Sequence, residues 1–382
     1  MLKRLYVDNF RCLVDFELNF DSINLFLGDN GAGKSTVFDV LGKLQRVITT
    51  DISVDSTFNK SDCTYWQNYK NLKFELDVEG NGGIYKYQLE ITSEDIFYGH
   101  VDATISVMSI ASETLRFNQE NLLRVNQYGT EIIDLNGQLK WTDRYIESRS
   151  IIPLLKAKDD YHKILWFKDR IKRLATLKIT PNSIVSESLH KSEFLETTMG
   201  NFVSWYRYIF ADNQNKLAQL TKSLQEILDG FISFRLEPIS EKAVILKLIF
   251  KTEESEQNIE YTFEELSDGQ KVLVILYSLF YGLESQDYTL CIDEPENFLA
   301  LPEIQPWLFQ LEDLCSEGKL QALLISHHPQ LIDYLLSSPI GYWFERQANS
   351  SVKVKPINSE LQKCNESGLS MSELIARRWL SE

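Results

Sequence analysis

The spacing of hydrophobic residues along this chain of 382 residues predicts its elements before any motif is considered. Residues 2–10 and 22–27 are apolar runs typical of β-strands, and residues 35–46 repeat apolar positions every three or four residues, as a helix does. The polar segment 49–68 predicts a loop or a broken helix. The N-terminal part is therefore expected to run strand, turn, strand, loop and helix.

A β-hairpin is predicted next. Residues 72–78 and 84–91 alternate apolar and polar side chains on either side of a glycine-rich turn at 79–83. Shorter strand-like runs at 103–109 and 131–135 extend the pattern, so we expect an antiparallel meander.

The period changes between residues 148 and 230. Helical spacing at 161–174, 193–210 and 213–228 predicts three helices. The segment has no sustained heptads, which excludes a long coiled coil.

Strand character returns after residue 230. The predicted strands are 231–237, 243–250, 259–263, 288–292 and 321–325, and the predicted helices are 270–283 and 303–315. Continuous apolar strands alternating with helices are typical of a parallel sheet covered on both faces. The predicted fold class is α/β, with a mixed or parallel central sheet, an antiparallel β subdomain and a helical insertion.

The same patterns predict the domain organisation. Residues 1–147 and 231–345 are expected to form one split lobe. Residues 148–230 form the helical insertion into it, and residues 346–382 form a C-terminal tail packed on the lobe.

A phosphate-binding motif lies between the second predicted strand and the first helix. It matches G-x-x-x-x-G-K-[ST], in which glycines let backbone N–H groups approach phosphates, Lys34 neutralises charge and the Ser35 hydroxyl holds Mg²⁺. The helix N-terminus favours anions further. The motif predicts ATP and Mg²⁺ as cofactors, with these candidate binding residues: Asn30, Gly31, Gly33, Lys34, Ser35 and Thr36.

Two adjacent acids follow the predicted strand 288–292. Open α/β sheets bind ligands at the carboxyl ends of their strands. Phosphoryl transfer needs one acid for Mg²⁺ and another to polarise water. We therefore predict Asp293 as a metal ligand and Glu294 as a catalytic residue, with a solvated acidic loop as the alternative. Glu296 extends the acidic run and is assigned no catalytic role.

His327 follows the strand 321–325 and is predicted to sense the γ-phosphate and the attacking water. A metal site formed with His328 is the alternative. It is disfavoured because neighbouring residues at a strand end point in different directions. His328 is expected to be structural.

The pentapeptide at 266–270 reads Leu-Ser-Asp-Gly-Gln and has two interpretations. Ser267 or Asp268 can cap the helix that follows. The hydroxyl of Ser267 and the N–H groups around Gly269 can also attract a phosphate held by a second copy of the chain. Both can hold together.

Net charge is −16, which argues against a surface that coats nucleic acid non-specifically. Eight bases nevertheless cluster between residues 156 and 178: Lys156, Lys158, Lys163, Lys168, Arg170, Lys172, Arg173 and Lys178. They indicate either a solvated helix face or a contact for DNA, RNA or an acidic protein.

The five scattered cysteines form no C-x-x-C pair and predict reduced structural thiols. No apolar run approaches the roughly 18 residues of a membrane span, and the N-terminus lacks the apolar region of a signal peptide. We expect a cytoplasmic protein with no membrane partner.

These motifs, with the opening Leu-Tyr-Val-Asp-Asn-Phe-Arg at 5–11, together resemble ABC-type ATPases of the RecF, SMC and OLD group. The resemblance implies a homodimer, or a higher homo-oligomer, that sandwiches two ATP molecules, with Ser267 reaching the other protomer's nucleotide. It also implies that Arg11 and Asn30 lie near the nucleotide. The glutamine-bearing loop of such ATPases falls at Gln67 or Gln88.

The chain also departs from that group. Asp268 stands where transporters of the superfamily usually have glycine, and residues 297–302 replace a histidine-containing continuation of OLD-type ATPases. OLD-type nucleases carry a Toprim domain after the ATPase, and the 55 residues after His327 are too few for it.

The chain thus resembles Toprim-less, OLD-like ATPases of bacterial anti-phage systems. The resemblance implies that ATP-driven dimerisation controls a separate effector, a nuclease or a toxin. The alternative is a RecF/SMC-like ATPase that binds DNA in repair or recombination, through the basic residues of 156–178.

Overall fold

The computed structural model describes residues 1–67, 71–98, 103–133, 139–142, 147–156, 161–252, 257–283, 287–335, 340–357, 370 and 372–373. Its strands are β1 Leu2–Asp8, β2 Phe16–Asn19, β3 Ile23–Gly28, β4 Asn71–Gly80, β5 Gly83–Tyr98, β6 Ala103–Phe117, β7 Glu120–Asn126, β8 Gly129–Ile133, β9 Leu139–Thr142, β10 Leu174–Leu177, β11 Glu187–Ser188, β12 Phe231–Pro238, β13 Val244–Lys251, β14 Asn258–Thr262, β15 Tyr288–Asp293, β16 Leu320–Ile325, β17 Ile340–Glu345 and β18 Lys353–Pro356. Its helices are α1 Lys34–Thr49, α2 His162–Lys172, α3 Phe202–Phe210, α4 Gln214–Gln225, α5 Asp268–Leu283, α6 Leu301–Ser316 and α7 Pro329–Leu335.

The chain divides into two compact units. The first contains Met1–Leu174 and Ser338–Glu382, and the second contains Ala175–Ser337. Segment 148–230, predicted as one insertion, contributes α2 to the first unit and α3 and α4 to the second. Most of the predicted tail, from residue 358 on, lies outside the described residues, as do Lys158 and the end of the predicted strand 131–135.

A long antiparallel sheet dominates the first unit. Its strand order is β2-β1-β4-β5-β6-β7-β8-β9, so the meander predicted from alternating side chains is confirmed. Helix α2 packs on it through Trp166, whose ring stacks 5.0 Å from that of Tyr85. A Cβ at Gly80 would lie 2.2 Å from Trp166, so the hairpin turn needs glycine for this packing.

The first unit also holds the strand that leads to the phosphate loop. Every residue of β3 is buried, as expected for a strand covered on both faces. It pairs in parallel with β17, with Phe26 opposite Tyr342, and β17 pairs antiparallel with β18.

The second unit combines a parallel pair with an antiparallel sheet. Strands β15 and β16 run parallel with Asp293 opposite Ile325, and β13 pairs antiparallel with β11, β12 and β14. The long helix α5 is buried along most of its length. On α6, the ring of Trp307 stacks 5.1 Å from that of Phe280, and its indole N–H donates to the Leu276 carbonyl at 3.0 Å. The α/β class is confirmed.

Two helix predictions were too long. Helix α3 covers only the end of the predicted 193–210, because Asn201 ties the preceding segment into turns. Its side chain donates to the Phe194 carbonyl at 2.7 Å and accepts from the Glu196 N–H at 2.9 Å, which competes with helical bonding. The helix predicted over 161–174 ends at Lys172, and β10 follows.

No helix among the described residues has both the length and the apolar character needed to span a membrane.

Replacing Trp307 with alanine is expected to lower the free energy of unfolding by about 3–5 kcal/mol, because the side chain is fully buried. Trp307→Phe is the matched control, since it keeps an aromatic ring against Phe280 and loses only the N–H donor. Chemical denaturation of both variants measures the difference. A loss under about 1 kcal/mol for Trp307→Ala would contradict the packing described here.

Candidate functional site

The backbone of the phosphate loop is held against the β17–β18 hairpin. Gly28 ends β3 with a φ of 137°, and a Cβ there would lie 2.2 Å from the carbonyl oxygen of Phe344. Gly33 has a φ of 101°, and its Cβ would lie 2.7 Å from a methyl group of Val352. Only glycine fits at both positions. The predicted order of strand, loop and helix is confirmed.

Helix α1 begins in a way that suits an anion. Among the described side chains none caps its N-terminus, and its first turn carries no acidic residue. Lys34 is buried, and its ammonium group donates to the backbone oxygens of Gly28 at 2.7 Å and Asp29 at 3.0 Å. The positive charge therefore lies within the loop itself.

The remaining loop residues face outward or pack at the start of α1. Asn30, Gly31 and Ser35 are exposed, and a Cβ built at Gly31 would meet nothing of the described chain within 4 Å. Thr36 is half-buried, with its hydroxyl 3.8 Å from the Cys12 sulfur. The loop tip is therefore open on the side of Gly31.

Arg11 lies in an ion-pair network next to α1. Its guanidinium is 3.0 Å from the Asp39 carboxylate and 2.9 Å from that of the buried Asp62. The ammonium of Lys43 lies 3.2 Å from the same Asp62. These contacts give Arg11 a structural role, and its proximity to a nucleotide stays a prediction.

In the second unit, the ends of β15 and β16 bring the predicted acids and histidine together. Glu294 follows Asp293 with a φ of 54°, and its N–H donates to the Ile325 carbonyl at 2.9 Å. One carboxylate oxygen accepts from the Asn297 amide at 2.6 Å, and the other lies 3.9 Å from Nε2 of His327. A left-handed backbone is uncommon for glutamate, and such strain concentrates at functional sites.

A buried carboxylate supports the turn that carries His327. The Ser326 hydroxyl donates to Glu296 at 2.5 Å and accepts from the His328 N–H at 3.0 Å. Burial raises the pKa of Glu296, and the bond from Ser326 opposes that rise. Glu296 therefore fixes the backbone on both sides of His327.

The pentapeptide at 266–270 caps α5. The Ser267 N–H donates to the Gln270 side chain at 3.0 Å, and the Gln270 N–H donates to the Ser267 hydroxyl at 3.3 Å. A Cβ at Gly269 would lie 2.9 Å from the Phe298 carbonyl, so the turn after Glu294 packs closely on this glycine. Capping is present within one chain, and action on a second copy stays a prediction.

Two residues at the acids were not predicted as site residues. The ammonium of Lys178, at the carboxyl end of β10, lies 3.9 Å from the Asp293 carboxylate. Its signal in the sequence was its place directly after the apolar run 174–177, as for Asp293 after β15. Asn297, which holds Glu294, stands three residues after it.

Several other described bases of the stretch 156–178 are held within the fold. Lys163 pairs with Glu120, and the ammonium of Lys168 donates to the Pro153 carbonyl at 2.9 Å. Burial lowers the pKa of Lys168, and Arg170 is almost fully buried. These contacts favour the structural interpretation of the stretch over a nucleic-acid surface.

No group of three or more His, Cys, Asp or Glu side chains that could hold a metal occurs in the part of the chain described. Proteins usually bind Mg²⁺ through one or two carboxylates together with substrate phosphates, and such a site needs no cluster of this kind. The roles of the Ser35 hydroxyl and the Asp293 carboxylate as metal ligands stay predictions.

Comparison with known proteins assigns the chain. Residues 23–333 match the family described as "AAA domain, putative AbiEii toxin, Type IV TA system". The chain belongs to this family. It is also 23% identical over 355 residues to a protein named OLD nuclease from Thermus scotoductus (strain ATCC 700910 / SA-01), a match covering 87% of this chain and 60% of that protein. This chain thus spans about 60% of that relative's length.

Solved structures show the same fold. An SmcHead bound to the C-winged helix domain of ScpA has 11% identity and a TM-score of 0.53, covering 94% of this chain and 99% of that chain. An Smc head domain with an extended coiled coil, bound to the C-terminal domain of ScpA derived from Pyrococcus furiosus, has 11% identity and a TM-score of 0.53, covering 96% and 99%. At this identity the likeness shows the fold alone. The resemblance to OLD/SMC-like ABC-type ATPases is confirmed.

Two glutamines were candidates for the glutamine-bearing loop of this ATPase. Gln88 is held in the antiparallel sheet, where its amide donates to Glu75 at 3.1 Å and accepts from Thr114 at 3.2 Å. The side-chain oxygen of Gln67 is buried and has no hydrogen-bond partner among the described residues. Gln67 is therefore the better candidate.

Replacing Glu294 with glycine is expected to raise the free energy of unfolding by about 1 kcal/mol relative to Glu294→Ala, because only glycine adopts the left-handed conformation without strain. Both variants lose the carboxylate and its bond to Asn297, so the difference reports the backbone alone. Chemical denaturation measures it. Equal stability would show that the backbone at Glu294 is unstrained.

Proposed function

We propose that this ATPase binds ATP and Mg²⁺ at its phosphate loop and hydrolyses ATP with the acids that follow β15. ATP binding then closes a homodimer, hydrolysis opens it, and the cycle controls a separate effector in anti-phage defence. The observation that carries the proposal is the strained Glu294, held by Asn297 next to Asp293 and 3.9 Å from His327.

Each residue has a role suited to its chemistry. Mg²⁺, held by Ser35 and Asp293, would neutralise charge on the phosphates. Lys34 and the N–H groups at the start of α1 would bind the β- and γ-phosphates. Glu294 would orient and deprotonate the attacking water, and His327 would respond to the γ-phosphate.

The dimer is inferred from the pentapeptide. The Ser267 hydroxyl and the N-terminus of α5 offer an anion site that their own chain uses for capping. In a closed dimer these groups would meet the γ-phosphate bound by the partner copy. Gly269 would keep the turn at Phe298 close to that surface.

Control of an effector is supported by the relatives. The family description includes a toxin, and the curated relative is named a nuclease. The cutting or toxic activity is proposed to belong to a separate subunit that this ATPase controls. DNA binding in repair is the second candidate, and the contacts of Lys168 and Arg170 within the fold disfavour it.

Lys34→Ala is expected to weaken ATP binding at least tenfold, because it removes the charge in the loop. Glu294→Gln is expected to bind ATP normally and to lower the rate of hydrolysis about 100-fold or more, because it removes the general base. It should therefore accumulate as a dimer with ATP. Calorimetry, phosphate release and light scattering measure these effects.

The matched control for the second variant is Glu317→Gln, an exposed glutamate paired with Lys319, whose loss should change neither rate nor assembly. Dimerisation of the wild type and Glu294→Gln to the same extent with ATP would contradict the switch. Wild-type protein that neither binds nor hydrolyses ATP would remove the whole proposal.

The effector is expected to co-purify from host extract with Glu294→Gln in ATP, and to a different extent with Lys34→Ala, because the two variants hold opposite states of the cycle. Mass spectrometry and nucleic-acid analysis identify what is retained. A nuclease or toxin whose retention depends on nucleotide supports the proposal. DNA retained with repair factors supports the RecF-like alternative, and equal retention by both variants contradicts control by ATP.

A further inference from the structure

Two aromatic residues occupy an exposed turn in the first unit. The Gln67 N–H donates to the Thr64 carbonyl at 3.1 Å, which places Tyr65 and Trp66 at the centre of the turn. Turns of this kind favour Gly, Pro, Asn, Asp and Ser. Tyr65 is 98% exposed and Trp66 is 38% exposed. The turn therefore holds two aromatic rings with surface open to water, at positions where small or polar residues are usual.

The turn is anchored to the body of the unit. The Thr64 N–H lies 3.2 Å from both the backbone and the side-chain oxygen of Asn9, and the Arg11 N–H donates to the Asp62 carbonyl at 2.7 Å. Asn9 is itself fully buried. Trp66 is therefore presented by a backbone fixed on its N-terminal side.

Arg346 joins this turn to the phosphate loop. Its guanidinium lies over the Trp66 ring, 5.8 Å from the ring centre, and Nη1 lies 3.5 Å from the carbonyl oxygen of Gly31. Its Nε donates to the Ser350 carbonyl at 3.1 Å. The same segment carries Val352, whose N–H donates to the Cys12 carbonyl at 3.0 Å. Arg346 is thus held by the connection between β17 and β18.

The two contacts of Arg346 limit the distance between Trp66 and the loop. The centre of the Trp66 ring lies no more than about 11 Å from the Gly31 oxygen. Unlike Gly28 and Gly33 of the same loop, Gly31 has open space on the side of its Cβ. A nucleoside triphosphate with its phosphates along the loop can extend its ribose and base across this distance.

We propose that Trp66, with Arg346 beside it, is the base-binding platform of this ATPase and favours purine nucleotides. The inference rests on the proposed function, since it takes the phosphate loop as the anchor of the nucleotide. Stacking of a base on an aromatic ring is strong and tolerant of the base's identity, and a larger ring system stacks over more area. The arginine adds attraction between its cation and the π faces.

Trp66→Ala is expected to weaken ATP binding about tenfold and to leave the binding of inorganic tripolyphosphate within twofold, because only ATP carries a base. Trp66→Phe should retain ATP affinity within about threefold. Calorimetry with both ligands in Mg²⁺ measures the ratio of the two affinities. Tyr128→Ala is the matched control, since Tyr128 is a 74% exposed aromatic between β7 and β8 of the same unit.

A second readout does not depend on the alanine variant. ATP is expected to quench part of the tryptophan fluorescence of the wild type, and this quenching should be absent in Trp66→Phe. Tripolyphosphate should quench the fluorescence of neither protein. Equal weakening of both ligands by Trp66→Ala, or unchanged affinity for ATP, would overturn the platform. Wild-type protein that binds neither ligand would contradict the proposed function instead, so the two failures are distinguishable.

Discussion

The parallel pairing of β3 with β17 is the constraint on which the phosphate loop depends. It leaves no room for a side chain at Gly28, where a Cβ would lie 2.2 Å from the Phe344 carbonyl. The chain must therefore turn sharply at the end of a fully buried strand. The loop that results places Lys34 against its own carbonyl groups and begins α1 without a side-chain cap from the described residues. The proposed binding of a phosphate at this helix start therefore depends on how the strand is packed.

The acids at the end of β15 also lie at a sharp turn after a strand. Here the residue with a left-handed backbone is Glu294 and not a glycine. Glu294 keeps a carboxylate at a left-handed position where glycine would be easier, and Asn297, Ile325 and His327 hold it there. The buried carboxylate of Glu296 positions Ser326 and, through the Ser326 hydroxyl, His328. Strain of this kind concentrates at functional sites, and the proposed hydrolytic role of Glu294 accounts for it.

The family assignment accounts for the fold of this chain. It does not identify the partners, which depend on the surface residues of this chain. The OLD nuclease relative is 23% identical and is the longer protein, and the Smc heads share the fold at 11% identity. Outside its motifs, this chain brings Lys178 near Asp293 and places Arg346 between the aromatic turn at Trp66 and the phosphate loop. These are the places where specificity for nucleotide and partner would be set.

The local elements and the candidate motifs could be predicted from the sequence alone. Period and turn residues predicted the meander, the β3–loop–α1 order and the strand before Asp293, since these depend on neighbours within about ten residues. They failed at 193–210, where the side chain of Asn201 bonds to the nearby backbone of Phe194 and Glu196 and overrides helical spacing.

The contacts between residues far apart in the chain could not be predicted and came from the three-dimensional structure. Arg346 and Trp66 are separated by 280 residues, and Lys178 and Asp293 by 115, and no periodicity relates them. The structure also distinguishes Gln67, whose side-chain oxygen is buried, from Gln88, which is bonded within the sheet. It shows that Lys168 of the basic stretch is bonded within the fold. Such pairs are fixed by packing of whole elements, because side-chain contacts across a fold depend on three-dimensional register that a linear pattern does not carry.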